Sequence, residues 1–198
     1  MTTLNVFTDF VCPWCYLSTA RVERLRHDFD VQVQWSYFPL HPDTPSQGLL
    51  LQELFAGRGY DLDAMHARMK SLMDAEGLPY NRRSHTYNSR LAQELAKWAD
   101  SQSGFESLHG ALYRAYFVDG RNIGDGEVLV DIAQSVGLPA DGAREVLAER
   151  SFKQEVDADW EQARRYGITG VPTFIAGGHK VVGAQPYNVL ADLLRADQ

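Results

Sequence analysis

The chain has 198 residues, of which 44% are apolar and 23% charged, with a formal net charge of -7. This length and composition fit one domain, or one domain carrying a large insertion, with a full hydrophobic core. The acidic balance and the lack of a basic patch predict no nucleic-acid partner. No apolar run approaches the ~20 residues that span a bilayer, which predicts no membrane partner. The N-terminal residues carry no basic or apolar export signal, so the expected location is the cytoplasm.

The only two cysteines, Cys12 and Cys15, stand three positions apart in a Cys-Pro-Trp-Cys motif. Residues 4–7 before them predict a buried strand, and residues 16–25 after them predict a helix, whose first turn suits Pro13. Unpaired backbone N–H groups and the helix dipole favour an anion at such a helix start, which predicts a stabilised Cys12 thiolate. We interpret the pair as a dithiol–disulfide redox site, with Cys12 the more exposed attacker and Cys15 the resolving thiol.

Three other interpretations of the cysteine pair are open. A structural disulfide would close so short a loop that it would constrain the unfolded chain little. A structural zinc site needs four ligands, but there is no second cysteine pair and the six histidines are scattered, so no metal site is expected. Two inert buried cysteines fit poorly with a Pro-Trp insert at the start of a helix.

One more strand and a long helical region follow the cysteine motif. Residues 31–38 begin with alternating apolar and polar side chains and predict a strand parallel to the first, because a helix connects the two. Three prolines within residues 39–45 end it. No convincing strand occurs between residues 46 and 166. Helical patterns there cover residues 62–73, 91–98 with Asn88 as the cap, 105–116, 125–136, 141–149 and 152–166.

The last thirty residues return to strands. Residues 173–176 and 179–182 predict a β-hairpin around a two-residue Gly-Gly turn. Pro186 then stands near the first position of a final helix that buries Leu190, Leu193 and Leu194. Strands therefore stand at both ends of the chain with helices between them. The simplest fold with this order of elements is α/β, in which the strands from both ends of the chain form one sheet and the all-helical block is an insertion.

A second motif, Gly-Ile-Thr-Gly-Val-Pro-Thr-Phe at residues 167–174, directly precedes the hairpin. Together with a Cys-x-x-Cys after a first strand, it resembles the thioredoxin superfamily, and the helical block resembles its DsbA branch. Residues 9–16, 38–42 and 183–186 are similar to the FrnE-like members of that branch. The resemblance covers essentially the whole chain. It implies a DsbA-like thioredoxin fold, with a discontinuous domain of residues 1–45 and 160–198 and a helical insertion of residues 46–159.

The resemblance implies a role for the residues of both motifs. Cys12 is expected to form the mixed disulfide as the nucleophile, and Cys15 to resolve it. The bond between Val171 and Pro172 is expected to be cis and to lie beside Cys12, with the Val171 backbone pairing with an extended substrate strand. The Pro-Trp insert, Pro13 and Trp14, is expected to contact substrate, although packing at a helix start explains Trp14 equally well. No bound cofactor is implied.

Three further residues are weaker candidates. His41 and His85 could approach the dithiol from the loop after the second strand and from the helical block, but a structural role is favoured for both. Asp9, close to the cysteines in sequence, could oppose the thiolate or take part in proton transfer.

The favoured function is disulfide exchange with protein or peptide thiols, as oxidase, reductase or isomerase. No further cysteine provides an internal relay, so glutathione, another thiol or a partner protein must regenerate the site. The alternative is glutathione-dependent chemistry on small molecules, as in the 2-hydroxychromene-2-carboxylate isomerases and kappa-class glutathione transferases, which commonly carry a serine where Cys12 stands. A third possibility, a peptide-binding module without catalysis, fits poorly with an intact Cys-x-x-Cys.

Overall fold

The computed structural model describes residues 2–102 and 107–196. Its strands are β1 Thr2–Thr8, β2 Val31–Tyr37, β3 Leu49–Leu50, β4 His85–Thr86, β5 Thr173–Ala176 and β6 His179–Val182. Its helices are α1 Pro13–Asp28, α2 Leu51–Leu54, α3 Leu62–Ala75, α4 Arg90–Asp100, α5 Ser107–Phe117, α6 Gly126–Ser135, α7 Ala140–Glu149, α8 Lys153–Arg165 and α9 Tyr187–Arg195.

The chain divides into two compact units. The first takes the chain as far as Leu40 together with Asp157 onward, and the second is His41–Val156. The sequence places the corresponding boundaries after residues 45 and 159, so the observed division lies slightly earlier at both.

The first unit is built on a four-stranded sheet with strand order β2-β1-β5-β6. β1 and β2 pair in parallel along all seven of their residues, which confirms the predicted strand, helix, strand opening. β5 pairs antiparallel with both β1 and β6, so strands from the two ends of the chain share one sheet. Gly177 and Gly178 form the predicted hairpin turn, and both have the positive φ that two-residue turns favour.

Each face of this sheet has its own apolar cluster, because side chains along a strand alternate between faces. One cluster joins the sheet to α1 and α9, and its members are Leu4, Val6, Val22, Leu25, Phe174, Ala176, Leu190, Ala191, Leu193 and Leu194. The other contains Phe7, Ala163 of α8 and Ile168. Full burial of a large apolar side chain stabilises the fold by about 1.5–3 kcal/mol. The loop that leaves β1 therefore starts from a strand that is fixed on both faces.

The second unit contains α2 to α7 and a small second sheet. This sheet pairs the two-residue strands β3 and β4 antiparallel, so the prediction of no strand between residues 46 and 166 is wrong. Two residues per strand are too few to show an alternating pattern, and the four-residue helix α2 is too short to show a helical one. Neither element could be found from periodicity.

Helix α3 agrees with its predicted pattern except at one position. It ends at Ala75, just before Gly77, whose φ of 71° is the left-handed conformation in which helices commonly end. The apolar residues that recur at helical spacing in this pattern include three methionines, of which Met69 and Met73 are buried and Met65 is exposed. The buried residues of α3 lie only in its second half, so the apolar face does not extend to Met65.

Helices α4 and α5 also follow their patterns. The N-cap of α4 is Ser89 and not the predicted Asn88. The Asn88 side-chain oxygen Oδ1 still accepts the backbone N–H of Arg90, the first residue of the helix, at 3.0 Å. The helix predicted from Phe105 is described only from Ser107, and Phe105 itself lies outside the described residues.

A buried carboxylate joins α4 to the end of α7. Glu94 has no exposed surface, and its carboxylate oxygens accept hydrogen bonds from Arg90 and Arg150 at 2.5–2.7 Å. Arg150 follows the last residue of α7 and has a φ of 55°. An unpaired buried charge is strongly destabilising, so Glu94 and the two guanidinium groups depend on one another.

Candidate active site

The cysteine pair stands at the start of α1. Cys12 directly precedes the helix with an extended backbone, φ -91° and ψ 114°, and Pro13 is the first helical residue. The Cys12 carbonyl accepts the N–H groups of Cys15 and Tyr16 at 3.1 and 3.2 Å, which closes the first turn. Pro13 has no N–H to leave unpaired, so it fits this turn without cost. The turn brings both thiols to the same end of α1.

Both cysteines are reduced and buried. Cys12 is 3% exposed and Cys15 2%, so Cys12 is the more exposed cysteine, as predicted, but by a margin so small that both thiols are buried. The reason is a packing contact that sequence spacing does not reveal: the loop before β5 covers the Cys12 thiol. Between the two cysteines, Trp14 is 36% exposed and Pro13 is half-buried, so solvent reaches the Pro-Trp insert more than it reaches the sulfurs.

The covering loop contains Val171 and Pro172. The peptide bond between them is cis, the geometry that the resemblance implies. The Cys12 thiol donates to the Val171 carbonyl at 3.5 Å, so in the reduced chain this carbonyl has a partner within the molecule. The Pro172 carbonyl accepts the Gly183 N–H at 2.7 Å, which ties the loop to the end of the hairpin. The second motif is thereby held against the first.

The two thiols differ in their electrostatic surroundings. Burial raises the pKa of the Cys15 thiol well above its ordinary value, and a hydrogen bond and charge repulsion from Cys12 raise it further. A hydrogen bond from the Thr8 side chain and one from the Asp9 backbone act in the opposite direction. Cys15 is therefore a neutral thiol at neutral pH. Thr8, the last residue of β1, was not expected at the site, since a threonine at a strand end carries no distinguishing signal.

Asp9 is a structural anchor in the loop between β1 and α1. It is fully buried. One carboxylate oxygen accepts the Val11 N–H at 3.2 Å, and the other accepts the Leu40 N–H at 2.9 Å. The Asp9 carbonyl also accepts the Cys12 N–H at 3.1 Å. These contacts fix the loop that carries Cys12 to the segment after β2.

A family model described as a DSBA-like thioredoxin domain matches residues 3–195. The chain belongs to this family. Its predicted DsbA-like fold is thereby confirmed, a mixed α/β thioredoxin fold with helices between the two parts of the sheet.

Solved structures agree with the family assignment. A probable DsbA oxidoreductase from Streptomyces coelicolor is 32% identical and superposes with a TM-score of 0.91, covering 100% of this chain and 90% of that one. A 2-hydroxychromene-2-carboxylate isomerase is 18% identical with a TM-score of 0.74, covering 98% and 95%. The cytosolic disulfide reductase DsbM from Pseudomonas aeruginosa, in a structure with GSH, is 20% identical with a TM-score of 0.67, covering 98% and 99%. The similarity to the isomerase and to DsbM is a similarity of fold.

The remaining candidate residues of this DsbA-like chain have separate surroundings. His41 and His85 both belong to the second unit. Burial, with the nearby Arg58 charge, lowers the pKa of His41. His85 lies in β4, where its Nδ1 is 2.8 Å from the Ser84 hydroxyl. The sequence favours a structural role for both histidines, and the hydrogen-bond distance between His85 and Ser84 is consistent with that role.

The motif at residues 183–186 of this DsbA-like chain is held by α1. The Arg21 guanidinium donates to the carbonyls of Ala184 and Gln185 at 2.9 and 2.8 Å. The helix that begins at the dithiol thus also positions the segment that leads into α9. Sequence reasoning named the segment but not its partner, because Arg21 is one of many charged residues on a helix.

Two further observations concern metal binding and membrane crossing. Within residues 2–102 and 107–196, no three His, Cys, Asp or Glu side chains come together as a metal site would require. Across the same residues, every helix is too short or too polar to cross a membrane.

Proposed function

We propose that this chain exchanges disulfides with thiols of proteins or peptides through Cys12 and Cys15. The Cys12 thiolate attacks one sulfur of a substrate disulfide and releases the other sulfur as a thiolate, which leaves a mixed disulfide. Cys15 then loses its proton and attacks the Cys12 sulfur, which releases the second substrate thiolate. The substrate gains two electrons, the cysteine pair becomes a disulfide, and the reverse sequence oxidises a dithiol.

The observation that carries this proposal is the unequal environment of the two thiols. A raised pKa keeps Cys15 protonated at neutral pH, so attack falls to Cys12 at the helix start. Part of the increase in the Cys15 pKa comes from Cys12 itself, by hydrogen bond and by charge. Once Cys12 is bonded to substrate sulfur, that part disappears while the Thr8 and Asp9 hydrogen bonds remain. Cys15 is then easier to deprotonate at the step where it must attack.

The Val171 carbonyl supports an extended peptide as the substrate. It is the Cys12 thiol's acceptor in the reduced chain, at 3.5 Å. When Cys12 carries a mixed disulfide it no longer has a proton to donate, and the carbonyl is released for a substrate N–H. We further propose glutathione as the regenerating thiol and the cytoplasm as the location, which the similarity to the cytosolic reductase DsbM in its structure with GSH supports.

The test is a redox titration of the Cys12–Cys15 pair against defined glutathione ratios, with mass spectrometry to follow the disulfide. The wild type is expected to form a reversible intramolecular disulfide, and its potential separates oxidant from reductant. Cys15→Ser is expected to accumulate a mixed disulfide with a cysteine-containing peptide. The matched variant Cys12→Ser is expected to form none.

The opposite results would support the alternative, a glutathione-dependent isomerase or transferase acting on small molecules. Its specific support is the likeness in fold to a 2-hydroxychromene-2-carboxylate isomerase. Disulfide exchange is excluded if two results are found together. No intramolecular disulfide forms at any glutathione ratio, and Cys12→Ser binds glutathione and keeps the full isomerase or transferase activity of the wild type.

A further inference from the structure

A half-buried guanidinium in the second unit is held by aromatic residues. Arg83 Nε donates to the Tyr116 hydroxyl and Nη1 to the Tyr80 hydroxyl, both at 2.9 Å. The guanidinium carbon also lies over the rings of Tyr116 and Phe117, 5.1 and 4.8 Å from their centroids. The Tyr116 hydroxyl donates in turn to the His85 carbonyl at 3.1 Å. Arg83 is therefore fixed in position on several sides.

None of these contacts neutralises the charge. Phenol oxygens are neutral at physiological pH, and among residues 2–102 and 107–196 no carboxylate lies within ion-pair distance of Arg83. A guanidinium has five N–H groups, and Arg83 uses the one on Nε and one on Nη1, which leaves one on Nη1 and both on Nη2. A partly desolvated cation with unused donors is costly unless an anion completes its surroundings.

The same guanidinium lines a cavity of about 130 Å³. The cavity walls are Arg82, Arg83, Ser84, His85, Tyr87, Tyr116 and Gly120. The rings of His85 and Tyr87 are stacked, parallel to within 5° with centroids 6.0 Å apart, and both residues line the cavity. A guanidinium and two aromatic side chains therefore line one space.

We propose that this cavity binds a small organic carboxylate, which the Nη groups of Arg83 hold and the His85 and Tyr87 rings flank. A guanidinium presents its N–H groups in a fork that matches the two oxygens of a carboxylate. The second cation at the cavity, Arg82, is already paired with Asp63. One positive charge is left uncompensated, which matches a carboxylate better than a doubly charged phosphate.

This site is a second binding function, and it is independent of disulfide exchange. All of its residues belong to the second unit, and its test measures binding rather than thiol chemistry. Whether the cavity binds a ligand therefore does not depend on whether Cys12 reacts.

The test is calorimetric titration of the full-length protein with sodium benzoate, in a low-salt buffer free of other carboxylates and phosphate. Saturable binding of one benzoate per chain is expected, with inorganic phosphate binding more weakly. Arg83→Lys keeps the charge but loses the fork, and is expected to bind benzoate at least about tenfold more weakly. Arg164→Met, which removes an exposed arginine of α8, is the matched control and is expected to bind as the wild type does.

A second measurement covers the case in which the Arg83 variant does not fold. Wild-type crystals soaked in 4-bromobenzoate are expected to show the bromine signal in the cavity lined by Arg83, His85 and Tyr87. Absence of saturable binding, equal binding by Arg83→Lys, tighter binding of phosphate than of benzoate, or bromine located elsewhere would each overturn the proposal.

Discussion

Asp9 in the first unit and Glu94 in the second are both carboxylates with no exposed surface, but they are stabilised in different ways. Asp9 accepts hydrogen bonds from backbone N–H groups of Val11 and Leu40. Glu94 accepts them from the guanidinium groups of Arg90 and Arg150. The first carboxylate shapes the path of the chain at the dithiol, whereas the second balances charges between helices. Loss of the Asp9 carboxylate should disturb the local geometry of the loop that carries Cys12. Loss of the Glu94 carboxylate should lower the stability of the whole second unit.

The largest effect is expected for Glu94→Gln. The substitution keeps the size of the side chain but removes the buried negative charge that Arg90 and Arg150 contact, which should lower the free energy of unfolding by about 3–5 kcal/mol. Urea unfolding at neutral pH measures it. Glu145→Gln, on the exposed face of α7, is the control and should change stability by less than about 0.5 kcal/mol. Equal effects of the two substitutions would mean that the Glu94 charge contributes nothing.

A smaller effect is expected for Asp9→Asn. An amide has one acceptor oxygen, so either the Val11 or the Leu40 N–H loses its partner and remains buried, at a cost of about 1–3 kcal/mol. The rate of mixed-disulfide formation at Cys12 should fall as well, because the same loop carries that cysteine. Urea unfolding and a peptide-disulfide assay measure the two effects. The exposed Asp30→Asn serves as the control, and an unchanged Cys12 rate in Asp9→Asn would contradict the anchoring role.

The smallest effect is a pH dependence that comes from Cys15. Its raised pKa means that the folded chain holds the thiol proton more tightly than the unfolded chain does. This contribution is complete below the ordinary thiol pKa of about 8.5 and is lost as pH rises above it. The reduced protein should therefore lose up to about 1.4 kcal/mol of unfolding free energy per pH unit above that point.

Unfolding of reduced wild type and Cys15→Ala, followed between pH 7 and 10 in the presence of a phosphine reductant, isolates this contribution. Tyrosines and lysines titrate in both proteins, so only the difference between the two slopes belongs to Cys15. A wild-type curve parallel to that of Cys15→Ala would show that burial does not hold the proton.

Much of the first unit could be predicted because its signals are local. An apolar run marked β1, alternating apolar and polar residues marked β2, and a Gly-Gly turn marked the β5–β6 hairpin. A Cys-Pro-Trp-Cys motif marked the start of α1. The order of strands in the sheet could not be read this way, because the β1–β5 pairing joins residues far apart in sequence. The burial of Cys12 was missed for the same reason, since it depends on Val171.

The second unit was harder to predict in its details. Its long helices show a clear 3.6-residue period, but β3, β4 and α2 contain two to four residues each and have no measurable period. The partners of Glu94 and the tyrosines around Arg83 could not be predicted either. A charged residue in a helix pattern looks the same whether it faces solvent or a buried partner, and only the three-dimensional fold distinguishes the two.

The connection of Cys12 to Val171 also sets a time scale during synthesis. The 159 positions that separate them take roughly 8 to 32 s to translate at about 5–20 residues per second. Throughout that interval the nascent chain carries both cysteines on a half-built sheet that lacks its last two strands. During that interval the Cys12 thiol lacks the Val171 carbonyl that accepts its hydrogen bond in the folded chain. The residue that covers the reactive sulfur is thus made well after the sulfur itself.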